Sequence, residues 1–180
     1  MEKLYISGND LIYQSFKLGR KIYDSGIVPD GLIAVWRGGT PIGVAVHEIL
    51  LKLGIDTFHT AIKASSYSSL EKVLHEPIVE SIQPLVDNVL KPEMTLLIVD
   101  DVFDTGSTLA TIKKLLTPYV KEVILATVLY KPANNITDVV PDFYLEKTDK
   151  WIVFPHELEG LTDEEIAHKD PRIAELLKKQ

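Results

Sequence analysis

Short unbroken apolar runs alternate along this chain with segments whose apolar residues recur at helical spacing. Residues 32–36 (Leu-Ile-Ala-Val-Trp), 96–99 (Leu-Leu-Ile-Val) and 122–129 (Glu-Val-Ile-Leu-Ala-Thr-Val-Leu) are such runs, the pattern of strands buried on both faces. Residues 4–6 and 142–145 read as shorter strands, and 58–64 alternates like a half-buried one. Between them, Leu11, Ile12, Ser15, Phe16, Leu18, Gly19 and Ile22 fall near one helical stripe, with caps available in residues 7–10. Pro41 is placed to open a helix reaching about Leu53, where Gly54 stops it. Residues 109–116 repeat helical spacing. Thr162-Asp-Glu-Glu165 is a capping box and Asp170-Pro171 opens a last helix. The expected fold class is therefore α/β: an open, mostly parallel twisted sheet with helices on both faces and ligands at the strand C-terminal ends.

Residues 70–92 fit this alternation less well. Residues 70–75 have the pattern of a helical turn, and Pro77 and Pro84 interrupt the segment. Ile78, Val79, Ile82, Leu85, Val86, Val89 and Leu90 need a surface to cover, either a loop base or a subunit interface.

Composition narrows the class. At 180 residues, 46% hydrophobic and 25% charged, the chain suits one soluble domain with a real core. No apolar run approaches the ~20 residues of a membrane span, and no signal-peptide pattern opens the chain. Zero cysteines exclude disulfides, thiolate catalysis and cysteine zinc sites, and fit a cytoplasmic protein. The five histidines show no zinc-ligand spacing. A net charge of −7 argues against a nucleic-acid surface, so any polyanion must be held by local N–H groups, metal and a few basic side chains.

The chemistry concentrates in residues 96–108, Leu-Leu-Ile-Val-Asp-Asp-Val-Phe-Asp-Thr-Gly-Ser-Thr. A buried strand is expected to end near Asp100 and Asp101. Asp104, Thr105, Gly106, Ser107 and Thr108 then form a small hydroxylic loop leading into a helix. Glycine lets backbone approach an anion, N–H groups converge on it, and the helix start adds positive potential. Two carboxylates repel phosphate, so they face sugar hydroxyls or a hard cation such as Mg²⁺. A ribose 5′-phosphate with metal-bound pyrophosphate satisfies all three demands. The competing reading is a strand-to-helix turn in which Asp and Thr only cap the helix.

This stretch resembles the PRPP-binding motif of type I phosphoribosyltransferases: a hydrophobic run, two acids, two apolar residues, then Asp-Thr-Gly-x-Thr. Phe103 is bulkier than the aliphatic residue usual there. The resemblance, spanning roughly residues 32–157, implies that Asp100 and Asp101 hold the ribose and, through water, Mg²⁺. It implies that residues 104–108 bind the 5′-phosphate and that Asp104 takes the purine N7 proton. Arg37, Gly38, Gly39 and Thr40 match the pyrophosphate loop, which in this family often carries a non-proline cis peptide, here Trp36–Arg37. Taken alone, Gly-Gly before Pro is an ordinary turn. Ser66-Tyr67 matches a flexible catalytic loop, or is plain surface. Lys131 is a solvated strand cap, or by resemblance the donor to a purine 6-oxo group. Lys131-Pro132 and the Trp-Ile-x-x-Pro-x-acid segment, with Trp151 stacking on the base and the Ile152 backbone reading it, look like the xanthine–guanine branch. Glu157 binds base or a second Mg²⁺, or is exposed.

The resemblance implies a single phosphoribosyltransferase domain over 1–180. Its core is about 28–130, a small hood lies at 131–157 with the N-terminal segment, and a helical tail occupies 158–180. The implied reaction joins PRPP and a 6-oxopurine (hypoxanthine, guanine or xanthine) into a nucleoside monophosphate, in a dimer or tetramer. Alternatives are a PRPP-sensing regulator on the same fold and a pyrimidine or orotate phosphoribosyltransferase.

Overall fold

A computed structural model describes residues 3–65, 77–80 and 82–178; Ser66, Tyr67 and the helical turn expected at 70–75 lie outside them. The chain clusters into two compact units, residues 14–149 and residues 1–13 with 150–180.

The first strand, β1 (Lys3–Tyr5), precedes helix α1 (Gly8–Asp24), which runs from one unit into the other. Then come β2 (Gly31–Trp36), α2 (Gly39–Lys52), β3 (Phe58–Ser65), β4 (Ile78–Glu80), α3 (Gln83–Asn88) and β5 (Thr95–Phe103). Helix α4 (Ser107–Leu116), β6 (Glu122–Tyr130) and β7 (Phe143–Lys147) complete the larger unit. Its sheet has the order β4-β3-β2-β5-β6-β7, parallel except for β4. The chain builds outward from β2 to β3, then returns past β2 to β5 and proceeds the other way. The order therefore reverses between β2 and β5, the kind of crevice where open α/β sheets bind ligands.

Alternation along the central strands assigns the two faces. Ile33, Val35, Leu96 and Ile98 share a buried cluster with Leu109, Ile112 and Leu116 of α4. Leu32 and Ala34 lie against Gly43 of α2 on the other face. Burying a Leu- or Ile-sized side chain contributes about 1.5–3 kcal/mol. In α1 the stripe narrows to Leu11, Ser15, Leu18, Gly19 and Ile22, all buried, while Ile12 and Phe16 are exposed.

Three boundaries differ from the sequence pattern. Strand β5 does not end at the acid pair. It continues to Phe103, because Asp100, Val102 and Phe103 keep pairing with Thr127, Leu129 and Tyr130 of β6. Helix α2 starts two residues before Pro41, which fits inside because the first four helical N–H groups need no intrahelical partner. Pro84 opens α3 rather than breaking a helix, consistent with its fixed φ. The 78–90 segment covers a sheet edge: β4 pairs with β3, Lys63 bonds Glu80 at 3.0 Å, and Val79, Ile82, Leu85 and Leu90 pack on the core.

In the smaller unit, β1 pairs in parallel with β8 (Trp151–Val153). Helices α5 (Asp163–Lys169) and α6 (Pro171–Leu177) follow, α5 opened by the expected Thr162–Glu165 capping box and α6 by the Asp170 side chain. The Lys3–Glu165 ion pair ties β1 to α5. Lys169 donates to the carbonyls of Phe154 (2.6 Å) and Glu157.

Candidate active site

The loops after β2 and β5 meet at the switch point. Residues Gly38 and Gly39 are small because of what they approach. A Cβ on Gly38 would overlap the Asp101 carboxylate, with Oδ1 at 2.8 Å, and one on Gly39 would overlap the Val99 carbonyl, with Asp100 Cα at 2.9 Å. Helix α2 begins here with no side-chain cap bond, an N-terminus of the kind that binds anions. The Thr40 amide and hydroxyl turn back to the Arg37 carbonyl at 3.3 and 2.7 Å. Arg37 is exposed, and the Trp36–Arg37 peptide is cis. Gly39→Ala is expected to cost about 1–3 kcal/mol through overpacking against backbone, a fall in Tm of roughly 2–12 °C. An unchanged melting curve would show that the two loops do not touch.

β5 continues through the acids, and their carboxyls stay close enough to interact. Asp101 is buried beside Gly38, while Asp100 and Val102 line a cleft with Asp104, Thr105, Gly106 and Thr108. Burial, and then the Asp101 charge, push the Asp100 carboxyl well above its usual range. It holds its proton more tightly folded than unfolded, so its contribution to stability falls as pH rises from about 4 through the raised value. Asp100→Asn is therefore expected to raise Tm at neutral pH, by about 2–4 °C per kcal/mol of strain removed, and to flatten this part of the pH–stability curve. Thermal melts from pH 4 to 8 decide it; a lower Tm at every pH would refute the sign. A close pair of oxygen donors that resists ionising beside its neighbour also suits a hard divalent cation.

Helix α4 starts at Gly106, which has φ +82° and no room for a Cβ, since Phe103 Cε1 and Asn135 Oδ1 stand 2.5 and 2.8 Å from where it would be. No side chain caps this helix either, so its N-terminus repeats the anion-binding arrangement. The bulky Phe103 is core: it is 1% exposed and stands edge-on to Tyr130 at 5.5 Å.

Asp104 is gripped by the segment after β6. Its Oδ2 accepts from Lys131 Nζ at 3.0 Å, and its Oδ1 from Asn134 Nδ2 at 2.7 Å. Lys131 is 6% exposed and is thus no solvated cap; its ammonium is aimed at the carboxylate. The backbone holds this geometry, with Lys131 N donating to Phe103 O (2.9 Å) and Ile136 N to Thr105 O (3.0 Å).

The phosphoribosyl transferase domain model matches residues 9–161. The chain belongs to the phosphoribosyltransferase family. A purine phosphoribosyltransferase from Pyrococcus horikoshii is 31% identical, with 90% of this chain and 98% of that one covered and a TM-score of 0.71. A Helicobacter pylori xanthine-guanine-hypoxanthine phosphoribosyltransferase shares the fold at 22% identity, with 96% and 99% covered and a TM-score of 0.67. So does a Neisseria gonorrhoeae protein with bound ppGpp, at 21% identity, 98% of each chain covered and a TM-score of 0.68. A comparison with curated protein sequences returns no match. The protein is a type I phosphoribosyltransferase, an enzyme of phosphoribosyl transfer.

The phosphoribosyltransferase thus brings Gly38, Gly39, Asp100, Asp101, the 104–108 loop and Lys131 onto one unit. Trp151 (54% exposed), Ile152 (paired with Leu4) and Glu157 belong to the other. Asn134 was not singled out by the sequence: it sits in a polar turn, and its only signal is its place three residues after Lys131. Among the described residues, no helix is long and apolar enough to cross a membrane.

Proposed function

We propose that this enzyme transfers the 5-phosphoribosyl group of PRPP to N9 of a 6-oxopurine, giving a nucleoside 5′-monophosphate and pyrophosphate. The observation that carries the reading is the Asp104–Lys131 pair, an acceptor and a donor 3.0 Å apart beside the anion loop. A 6-oxopurine presents the complementary edge, N7–H beside an O6 acceptor, whereas the 6-amino group of adenine offers Lys131 nothing to bond.

Residues 104–108 would hold the 5′-phosphate on the N–H groups at the start of α4. Asp100 and Asp101 would order the ribose hydroxyls. Arg37 and the amides at the start of α2 would take the departing pyrophosphate, each well-aimed donor stabilising developing charge by about 3–4 kcal/mol. Asp100 and Asp101 would hold Mg²⁺ through water, and the ion would supply neutralising charge for the pyrophosphate leaving group. Glu157 is the candidate for a second ion. As C1′–O cleavage leaves a cationic sugar, N9 attacks C1′ and the N7 proton passes to Asp104. A carboxylate is a weak base, so the transfer is late, after positive charge has built on the base. By the family resemblance, Trp151 and the Ile152 backbone are the candidates to stack on the purine and read its 2-position. In the same reading the working form is a cytoplasmic dimer or tetramer.

The test offers the protein PRPP and Mg²⁺ with hypoxanthine, guanine, xanthine, adenine or uracil separately. Nucleotide formation with at least one 6-oxopurine and none with adenine is expected; product only with uracil or orotate would replace the reading by the pyrimidine one. A second reading follows from the Neisseria protein of this fold, which holds ppGpp. It is a nucleotide-sensing role, favoured if PRPP or ppGpp binds and no base yields product.

A further inference from the structure

We infer that Asn134 is a positioning residue for Asp104, fixing the plane of its carboxylate for proton transfer. The inference rests on the reading of Asp104 as the acceptor of the N7 proton. Asp104 follows β5 with its side chain 43% exposed, where an aspartate ordinarily samples several rotamers. Here one short segment straddles it. Lys131 N and Ile136 N bond the carbonyls of its two chain neighbours, Phe103 and Thr105, so the backbone is fixed on both sides. Lys131 and Asn134 occupy one carboxylate oxygen each. Asn134 is set by its own turn, in which its N–H donates to Lys131 O at 3.1 Å and Pro132 begins the tight helical turn Pro132–Asn134.

The two side-chain partners differ in what substrate does to them. An ammonium that turns towards a purine oxygen shares or gives up its bond to Asp104. Asn134 is neutral and has no comparable partner on the base, so it keeps Oδ1 in place while the Lys131 bond is redirected. A carboxylate only accepts when ionised, so the amide must present its NH₂ here, and the direction of the bond is fixed chemically.

The test compares wild type, Asn134→Ala and Asn134→Asp in steady-state kinetics with PRPP and a 6-oxopurine. Asn134→Asp conserves shape but replaces the donor by a second carboxylate. Asn134→Ala is expected to lower kcat about 10–100-fold, as misplacement of a reacting group does, and Asn134→Asp at least as much. KM for PRPP should stay within about threefold for both, and Tm within about 2 °C, since Asn134 is an exposed residue. An Asn134→Asp enzyme with wild-type kcat overturns the inference, as does a parallel rise of KM for PRPP in both variants. A wild type that forms no nucleotide refutes the proposed function itself, which keeps the two failures apart.

Discussion

Replacing Asp104 by Asn is expected to lower kcat for nucleotide formation about 10²–10⁴-fold, the usual contribution of a positioned base, with PRPP affinity largely intact. Turnover at the wild-type level would remove Asp104 from the mechanism. The substitution has a second effect. Lys131 is 6% exposed and Asp104 Oδ2 stands 3.0 Å from its ammonium, so the variant leaves a buried cation without its counter-charge. A loss of about 1–3 kcal/mol is expected, less than for a fully buried pair because Asp104 is itself half-exposed. Asp104→Asn combined with Lys131→Met should recover the melting temperature and not the turnover. That double variant separates chemistry from folding, which a single substitution does not.

Lys131→Met is expected to reduce kcat/KM for every 6-oxopurine about 10²–10³-fold, since the purine oxygen loses a charged donor in a site built to supply one. Its effect on stability should be small. The asymmetry follows from exposure: removing Asp104 strands a buried charge, whereas removing Lys131 leaves a carboxylate that water still reaches. Preserved 6-oxopurine activity in this variant would show that base recognition lies elsewhere.

The strands and helices of the larger unit were legible in the sequence because each carries its period in apolar residues. Leu32 to Val35 and Leu96 to Val99 are buried throughout, as unbroken apolar runs predict. What sequence did not show was where backbone pairing outlasts apolarity. Asp100 and Val102 belong to β5 because β6 continues beside them, and no local property of an acid pair announces that. The glycines after β2 match the family's pyrophosphate loop; that they are also required by contact with Asp101 and Val99 is a tertiary fact. The DTGST loop and Lys131 were identified through the family motif. Asn134 was missed because a single polar residue in a turn has no period and no motif, and its meaning lies in a bond across thirty residues.

The parallel pairing of β1 with β8 joins Lys3 to Trp151 and Tyr5 to Val153. On a ribosome adding roughly 5–20 residues per second, the first strand emerges and then waits about ten seconds or more for its partner. During that time the sheet of the larger unit has its own strands in hand and can form. The smaller unit cannot, and its contacts become available only after those of the larger unit. Stalled or truncated chains that stop before residue 150 would therefore expose an orphan strand at their N-terminus, a natural handle for chaperones or proteases.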